Sequence, residues 1–257
     1  MNNHTAIILA AGQGSRLRPL TDHIPKCMVK VGDKPILLRQ LDTLQAAGIE
    51  DIVVVAGYKK EKISDNRITV VENERFDSTN MIYSLFCAEE YLKGNVLICY
   101  GDIIYSKSVL NQILQDERDI VIASDKSWLP YWQSRCDDPL SDAESFVKNT
   151  NGKVKSLGKK ASDINEVEGQ FIGLIKLSAA GLEQFKKVYK ECLSSESCSV
   201  NAWNAGRDLN NAYMTDMLNH LASQGKLHYS EIERGWFEVD NPDDLKVAED
   251  NLHEITQ

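Results

Sequence analysis

Short apolar runs alternate with longer amphipathic stretches along the first hundred residues of the chain. The runs cover residues 6–9, 52–56, 68–71 and 96–100. They are too short for helices, so 6–9, 52–56 and 96–100 predict buried strands and 68–71 predicts a further strand. The amphipathic stretch 36–47 begins after Pro35 and ends at Gly48, which predicts a helix. Strands alternating with helices predict an α/β fold: a three-layer, Rossmann-like, mostly parallel (mixed) sheet with helices on both faces.

The rest of the chain adds further strands, a hairpin and more helices. Apolar runs predict strands at 119–124, 169–177 and 227–232, and a hairpin at 144–157 around an Asn-Gly turn. Helices are expected at 81–91, at 179–192, from residue 213, and after Asn241, which precedes Pro242. Pro130 leads us to expect no regular helix within 125–135. The polar stretch 194–208 is expected to be a mobile loop or an interface arm.

Composition narrows the class of protein. A chain of 257 residues with 42% hydrophobic content fits one α/β domain, 1–257, with acceptor-side insertions at roughly 125–170 and 194–213. The net charge of −9 argues against a nucleic-acid surface. No apolar run is long enough for a membrane span, and the N-terminus lacks the basic region of a secretion signal. Six cysteines without a C-x-x-C pair suggest reduced thiols in a cytoplasmic protein.

The small residues after the first strand are candidates for binding a polyphosphate. Ala10, Ala11, Gly12 and Gly14 have almost no side chain, so a ligand can approach the backbone N–H groups. Arg16 and Lys26 add positive charge beside that surface. The loop is not a dinucleotide fingerprint, because Leu17 stands where the third glycine would be, and it lacks the Gly-Lys-Ser/Thr of a Walker loop.

Two acidic sites lie at strands: one just after a predicted strand, the other within an extended segment near the C-terminus. Asp102 comes after the strand 96–100, where a carboxylate could hold a metal ion or, as a turn residue, cap the next helix. Glu238 and Asp240 share a strand face because side chains repeat every second residue. Asp243 and Asp244 fall in the first turn of the final helix and are expected only to favour its dipole.

Three motifs together resemble the nucleotidyltransferase family that includes sugar-1-phosphate nucleotidylyltransferases and bacterial phosphocholine cytidylyltransferases. They are L-A-A-G-x-G-x-R-L-x-P-L-T with P-K, T-N-x-x-Y-S-L, and W-x-E-V-D-x-x-x-D-L. The resemblance implies a nucleotide-diphospho-sugar transferase-like fold. It also implies catalytic roles for Arg16, Lys26, Asp102 and Asp240, the two aspartates holding Mg²⁺. The implied nucleotide-binding residues are Leu9, Ala10, Ala11, Gly12, Gly14, Arg16, Lys26, Asn80, Ser84, Tyr100 and Gly101.

A second set of residues is expected to bind the acceptor. Trp128 and Trp132 can wall a cleft, since aromatic faces attract ammonium groups, or can form a satellite hydrophobic cluster. Arg135 can bind an acceptor phosphate or carboxylate in a bidentate manner. Related enzymes place a lysine after the strand that here ends in Lys159 and Lys160, and a solvated basic pair is the alternative. Glu238 is the remaining candidate, for orienting metal waters or the acceptor.

The resemblance is strongest to the branch that acts on non-sugar acceptors. It implies a CTP-dependent, Mg²⁺-dependent transfer of CMP to a phosphocholine, 2-aminoethylphosphonate or phosphoglutamine type of acceptor, with release of pyrophosphate. One alternative is a sugar-1-phosphate nucleotidylyltransferase using UTP, dTTP or GTP. Another is a nucleotide-binding regulatory subunit without catalysis. The sequence leaves the identity of the acceptor and a homodimeric state open.

Overall fold

The computed structural model describes residues 4–194, 203–204 and 206–255. The strands in that part of the chain are β1 His4–Ala10, β2 Lys30–Val31, β3 Lys34–Pro35, β4 Ile52–Ala56, β5 Thr69–Glu72, β6 Asn95–Tyr100, β7 Ile103–Tyr105, β8 Ile120–Asp125, β9 Glu144–Asn149, β10 Lys153–Lys160, β11 Gln170–Leu177, β12 His228–Ile232 and β13 Trp236–Glu238. The α-helices are α1 Ile36–Ala46, α2 Met81–Cys87, α3 Lys107–Leu114, α4 Trp128–Arg135, α5 Ala179–Ser194, α6 Met214–Ser223 and α7 Pro242–Asp250.

Within the described residues, nine strands form one mixed sheet in the order β5-β4-β1-β6-β11-β8-β12-β10-β9. Strands β5, β4, β1 and β6 run parallel, whereas β11 is antiparallel to both of its neighbours. Leu9 of β1 lies opposite Tyr100 of β6, so the segments after these strands leave the sheet at the same edge. The mixed sheet of the sequence prediction is confirmed.

Two hydrophobic cores lie on opposite faces of this sheet. Ile8 packs into one core together with Leu41 of α1, and Ile7 packs into the other together with Phe185 of α5. Neighbouring residues of a strand point to opposite faces, so a run that is apolar at every position can serve both cores at once. The helices therefore cover both faces, as the continuous apolar pattern of β1 predicted.

Two predicted boundaries differ from the structure. A regular helix, α4, spans Trp128–Arg135 despite Pro130. Pro130 is its third residue, where the backbone N–H has no partner within the helix, so proline costs no hydrogen bond. The helix expected at 81–91 ends at Cys87, because the Ala88 N–H bonds the Leu85 carbonyl and tightens the last turn.

The predicted hairpin and the predicted cap of the last helix are both present, whereas one predicted loop falls mostly on residues that are not described. The hairpin is β9 with β10, which pair antiparallel. Asn241 caps α7, accepting hydrogen bonds from the N–H groups of Asp243 and Asp244. Most of the polar stretch 194–208 lies outside the described residues. Among the helices described, none combines the length and the apolar character that crossing a membrane would require.

Candidate active site

The glycine loop after β1 combines a tight turn with an open surface. Gly14 has φ +63°, and a Cβ there would lie 2.8 Å from Cβ of Lys26, so glycine allows the two segments to approach. The Gly14 carbonyl accepts a hydrogen bond of 2.8 Å from Thr21 Oγ1, which fixes the turn. A Cβ on Gly12, in contrast, would meet nothing within 4 Å. The backbone at Gly12 is therefore open to a ligand.

The turn that carries Asp102 lies directly against this loop. The Gly101 N–H donates to the Leu9 carbonyl at 2.9 Å, and a Cβ on Gly101 would lie 2.6 Å from that oxygen, so only glycine fits. Gln40 of α1 stabilises this turn. Its Nε2 donates to the carbonyls of Tyr100 at 2.9 Å and Ile103 at 2.8 Å. Asp102 is thus held beside the glycine loop by both backbone and side-chain hydrogen bonds.

Three carboxylates meet at this position. Strand β13 pairs with β7, and the Val239 N–H donates to the Asp102 carbonyl at 3.0 Å. As a result, one carboxylate oxygen from each of Asp102, Glu238 and Asp240 lies within 4.8 Å of the others. A cluster of this kind can hold a hard cation, because oxygen ligands suit Mg²⁺ and Ca²⁺. The sequence prediction that Asp102 and Asp240 approach each other agrees with this geometry.

Two cations from the loop region neutralise the cluster. Lys26 Nζ lies 2.7 Å from Asp102 Oδ2 and also donates to Asp240 Oδ1. Arg16 Nη2 lies 2.8 Å from Asp240 Oδ2. These are the groups expected to contact phosphates, and here they bridge the glycine loop to the carboxylates.

The pKa values of Asp240 and Glu238 are shifted in opposite directions. Burial alone would raise the pKa of Asp240, but the charge and hydrogen bond of Lys26 outweigh it, and the pKa is lowered. Burial and the charge of Asp240 raise the pKa of Glu238 well above its usual value, against the opposing effect of Arg135. Burial would lower the pKa of Lys26, but the charges and hydrogen bonds of Asp102 and Asp240 outweigh it and raise the pKa. Asp240 and Lys26 are therefore both charged near neutral pH.

Two cavities adjoin at this cluster. The loop cavity, of about 350 Å³, is bordered by the glycine loop, Asp102 and the start of α2. The aromatic cavity, of about 370 Å³, is bordered by several aromatic rings and by Asp240. Its aromatic lining consists of Tyr100, Trp132, Phe171, Tyr213 and Trp236. Arg16, Asn80, Met81 and Asp240 line both cavities.

The residues predicted to bind nucleotide gather almost entirely in the loop cavity. Those that line it are Leu9, Ala10, Ala11, Gly12, Gly14, Arg16, Lys26, Asn80, Ser84 and Gly101. Tyr100 lines the aromatic cavity instead. Asn80 also caps α2, accepting from the Met81 N–H at 2.8 Å. Ser84 accepts a hydrogen bond of 2.9 Å from Asn73 Nδ2.

Only some of the residues predicted to bind the acceptor line the aromatic cavity. Trp132 and Glu238 line the aromatic cavity. Trp128 is buried away from it, donating through its indole N–H to the Val167 carbonyl at 3.1 Å, as expected of a hydrophobic cluster. Lys159 and Lys160 are exposed, and neither is among the described residues that line the two cavities. The alternative of a solvated basic pair matches their position.

Arg135 takes a different position from the one expected. Its side chain is only 4% exposed, and its donors bond Asp244 and Glu238 rather than facing a cavity. Asp244 was expected only to favour a helix dipole, but it is completely buried and is the ion-pair partner of Arg135. The local sequence could not reveal this pair, because its members lie 109 positions apart.

Other site residues gave weak sequence signals or none. Asp142, Glu144, Gln170 and Thr215 line the aromatic cavity although no motif marked them. A polar residue on the apolar face of α1 was the one available signal for Gln40. Partial burial in the cavity raises the pKa of Glu144, and repulsion from Asp142 and Asp216 adds to that rise.

Comparison with known proteins identifies the family and several relatives of the chain. Residues 6–160 match the family model described as MobA-like NTP transferase domain. The chain is 37% identical over 254 residues to the CTP:phosphoglutamine cytidylyltransferase of Campylobacter jejuni, covering 94% of this chain and 98% of that protein.

Two solved structures share the fold. The CTP:phosphocholine cytidylyltransferase of Streptococcus pneumoniae matches with a TM-score of 0.74 at 24% identity, over 96% of this chain and 98% of that one. The inositol-1-phosphate CTP transferase of T. maritima matches with a TM-score of 0.74 at 23% identity, over 100% of this chain and 98% of that one. With its glycine loop, paired cations and carboxylate cluster at one sheet edge, the chain belongs to the nucleotidyltransferases with a MobA-like NTP transferase domain.

Proposed function

We propose that this chain transfers CMP from CTP to a small phosphorylated or phosphonate acceptor and releases pyrophosphate. The observation that carries the proposal is the shared wall of the two cavities, where Arg16 and Asp240 face both. A nucleotide in the loop cavity and an acceptor in the aromatic cavity would meet there. The similarity to the Campylobacter jejuni enzyme supports CTP as the nucleotide.

The loop cavity provides what a triphosphate needs. Backbone at Gly12 is open to approach, and Lys26 and Arg16 supply fixed positive charge. Both cations are bound to carboxylates in the free protein, so their side chains are already at the place where phosphate charge would enter. Preorganised charge of this kind stabilises the transition state without further rearrangement.

The carboxylate cluster fits Mg²⁺. Its donors are all carboxylate oxygens, which Mg²⁺ prefers. Asp102 Oδ1 is buried, and among the described residues no group donates a hydrogen bond to it, which leaves a lone pair free for a cation. Asp102 and Asp240 would hold the ion, with Glu238 beside them. When bound, Mg²⁺ would neutralise charge on the triphosphate oxygens.

The reaction needs no general base from the chain. An acceptor phosphate or phosphonate is already ionised near neutral pH. Its oxygen forms a bond to the α-phosphorus while the bond from that phosphorus to the bridging oxygen of pyrophosphate breaks, and the electron pair leaves with pyrophosphate. Lys26 and Arg16 hold the phosphates during this exchange. Catalysis is then positioning together with charge stabilisation.

The aromatic cavity favours an acceptor with a cationic end. The carboxyl groups of Asp142 and Glu144 line it together with the aromatic rings. Among the described residues, Arg16 is the one Lys or Arg in its lining, and it lies at the shared wall. Carboxylates and aromatic faces both attract ammonium groups. The proposed acceptor therefore has a phosphate or phosphonate at one end and an amine or quaternary ammonium at the other.

Pyrophosphate release tests this function. The protein is assayed with CTP, UTP, GTP and dTTP against phosphocholine, 2-aminoethylphosphonate, phosphoglutamine and glucose-1-phosphate. We expect turnover with CTP and at least one of the three acceptors that carry an amino or ammonium group. Preference for glucose-1-phosphate with another nucleotide would replace the proposal by a sugar-1-phosphate nucleotidylyltransferase. Nucleotide binding without turnover would indicate a regulatory subunit.

A further inference from the structure

A buried ion pair lies directly behind the carboxylate cluster. Arg135 is the last residue of α4, Asp244 lies in the first turn of α7, and their side chains are 4% and 1% exposed. Arg135 Nε lies 2.7 Å from Asp244 Oδ1, and Nη2 lies 3.2 Å from Oδ2. The two parallel hydrogen bonds fix the guanidinium plane, which a lysine could not do.

Each member of this pair reaches a different acidic residue of the cluster. Arg135 Nη1 donates to Glu238 Oε2 at 3.2 Å. Asp244 Oδ2 accepts from the backbone N–H of Asp240 at 2.9 Å and from Asn241 Nδ2 at 3.0 Å. The pair therefore fixes the side chain of Glu238 and the backbone of Asp240 at the same time.

The same arginine also contacts the wall of the aromatic cavity. Its guanidinium carbon lies 4.8 Å from the ring centre of Trp132 and 5.2 Å from that of Tyr131. The Tyr131 hydroxyl accepts from the Glu238 N–H at 2.9 Å. Hydrogen bonds from Arg135 and Tyr131 therefore join α4 to Glu238. Trp132, on the same helix, lines the aromatic cavity.

Folding alone gives little reason for such a pair. Removing two charges from water costs several kcal/mol per ion, and well-packed apolar residues often stabilise a fold equally well. Accurate placement of catalytic groups, in contrast, depends on supporting residues with fixed geometry, because a displacement of about 1 Å can cost about 100-fold in rate.

We propose that Arg135 and Asp244 are positioning residues that set Glu238 and Asp240 for cation binding and align that site with the acceptor wall at Trp132. This rests on the proposed function for its catalytic consequence. The cation-binding consequence stands on the carboxylate geometry alone. Neither residue contacts substrate; both act through the residues they hold.

The test compares two Arg–Asp pairs with identical substitutions. The double variant Arg135→Met with Asp244→Asn removes both charges and keeps an oxygen that can accept from the Asp240 N–H. The control, Arg118→Met with Asp116→Asn, changes a pair joined by a 2.8 Å hydrogen bond at a position that lines neither cavity. Direct Mn²⁺ binding, melting temperature, and kcat with KM for CTP are measured for each.

We expect the Arg135/Asp244 variant to bind Mn²⁺ at least 10-fold more weakly and to lose about 10- to 100-fold in kcat, with KM for CTP changed less than threefold. The control should keep wild-type Mn²⁺ affinity and kcat. Arg135→Lys provides a second variant that retains the charge without the parallel hydrogen bonds, and it should show the same loss in Mn²⁺ affinity while remaining folded.

Wild-type Mn²⁺ affinity in both the double variant and Arg135→Lys would overturn the proposal, as would equal losses in the control pair. A wild-type protein that does not bind Mn²⁺ would also overturn it. A wild-type protein that binds Mn²⁺ but releases no pyrophosphate with any nucleotide would refute the proposed function alone, and the Mn²⁺ comparison would still decide the role of the pair.

Discussion

Lys26 and Asp102 are 76 positions apart in the chain, yet Nζ of the lysine lies 2.7 Å from Oδ2 of the aspartate. The contact exists because β1 and β6 are parallel neighbours, so the loops that follow them share one edge of the sheet. Asp240 reaches the same ammonium from the far end of the sequence. Three separate segments therefore build one charged centre, and the predictions below test its parts.

Loss of the Asp240 charge should affect turnover far more than folding. Asp240→Asn removes one negative charge from the proposed cation site while keeping its size. We expect kcat to fall roughly 100-fold or more, as is typical when a charge-stabilising group is removed. Steady-state kinetics measure the effect, and circular dichroism checks that the variant is folded. Asp243→Asn, an exposed neighbour, serves as the control. Wild-type kcat in Asp240→Asn would remove this residue from the mechanism.

Glu144 should determine affinity for a cationic acceptor. Glu144→Gln keeps the shape of the aromatic cavity but removes a carboxylate that an ammonium group could bind. A hydrogen bond to a charged group contributes about 1.5–3 kcal/mol, so KM for the acceptor should rise about 10-fold or more while KM for CTP stays constant. Glu183→Gln, on the exposed surface of α5, is the matched control. An equal rise for both substrates would contradict a role specific to the acceptor.

A methyl group at Gly173 should deform the aromatic cavity. Gly173 has φ +84°, and a Cβ there would lie 2.7 Å from Cγ of Tyr100. Gly173→Ala therefore combines backbone strain with a steric clash and should destabilise the protein by about 2–4 kcal/mol. Gly94→Ala separates the two effects, because Gly94 has φ +65° and open space around its Cβ position, so it should cost only about 1–2 kcal/mol. Urea denaturation gives both values. Equal losses would mean that Tyr100 moves aside freely.

The pair Asp116 and Arg118 should make stability depend on pH in the acidic range. Burial would raise the pKa of Asp116, but hydrogen bonds and charge from Arg118 outweigh it and lower the pKa. A lowered folded-state pKa adds stability that is present above the unfolded pKa and lost as pH falls through the folded one. The free energy of unfolding of wild type minus that of Asp116→Asn should therefore shrink below about pH 4. Urea denaturation from pH 7 to pH 3 measures it, and a difference that is constant with pH would contradict the assignment.

Local pattern made much of the fold and part of the site predictable. Apolar runs located the buried strands of the sheet, because a strand covered on both faces is apolar at every position. Small residues between Ala10 and Gly14 marked the loop because their lack of side chains is itself the structural requirement. The two-residue spacing predicted that Glu238 and Asp240 face one side, and their carboxylates do meet in one cluster, although β13 ends at Glu238.

Contacts between distant elements decided the rest. The charge of Arg135 predicts a contact with the acceptor, but the packing of α4 against α7 directs its side chain to Asp244. Gln40 is an ordinary helix residue in the sequence, and only the position of α1 beneath the Asp102 turn makes it a support for that turn. Lys159 and Lys160 fall at the end of β10, whose register leaves both exposed.

The sequence by itself determined which residues could bind phosphate and cation, since charge, size and backbone freedom belong to each residue type. Only the tertiary structure decided which of the acidic and basic side chains meet, and which of them serve as supports rather than contacts. The physical reason is that periodicity encodes the neighbours of a residue along one helix or strand, whereas an ion pair across 109 positions depends on how whole elements pack.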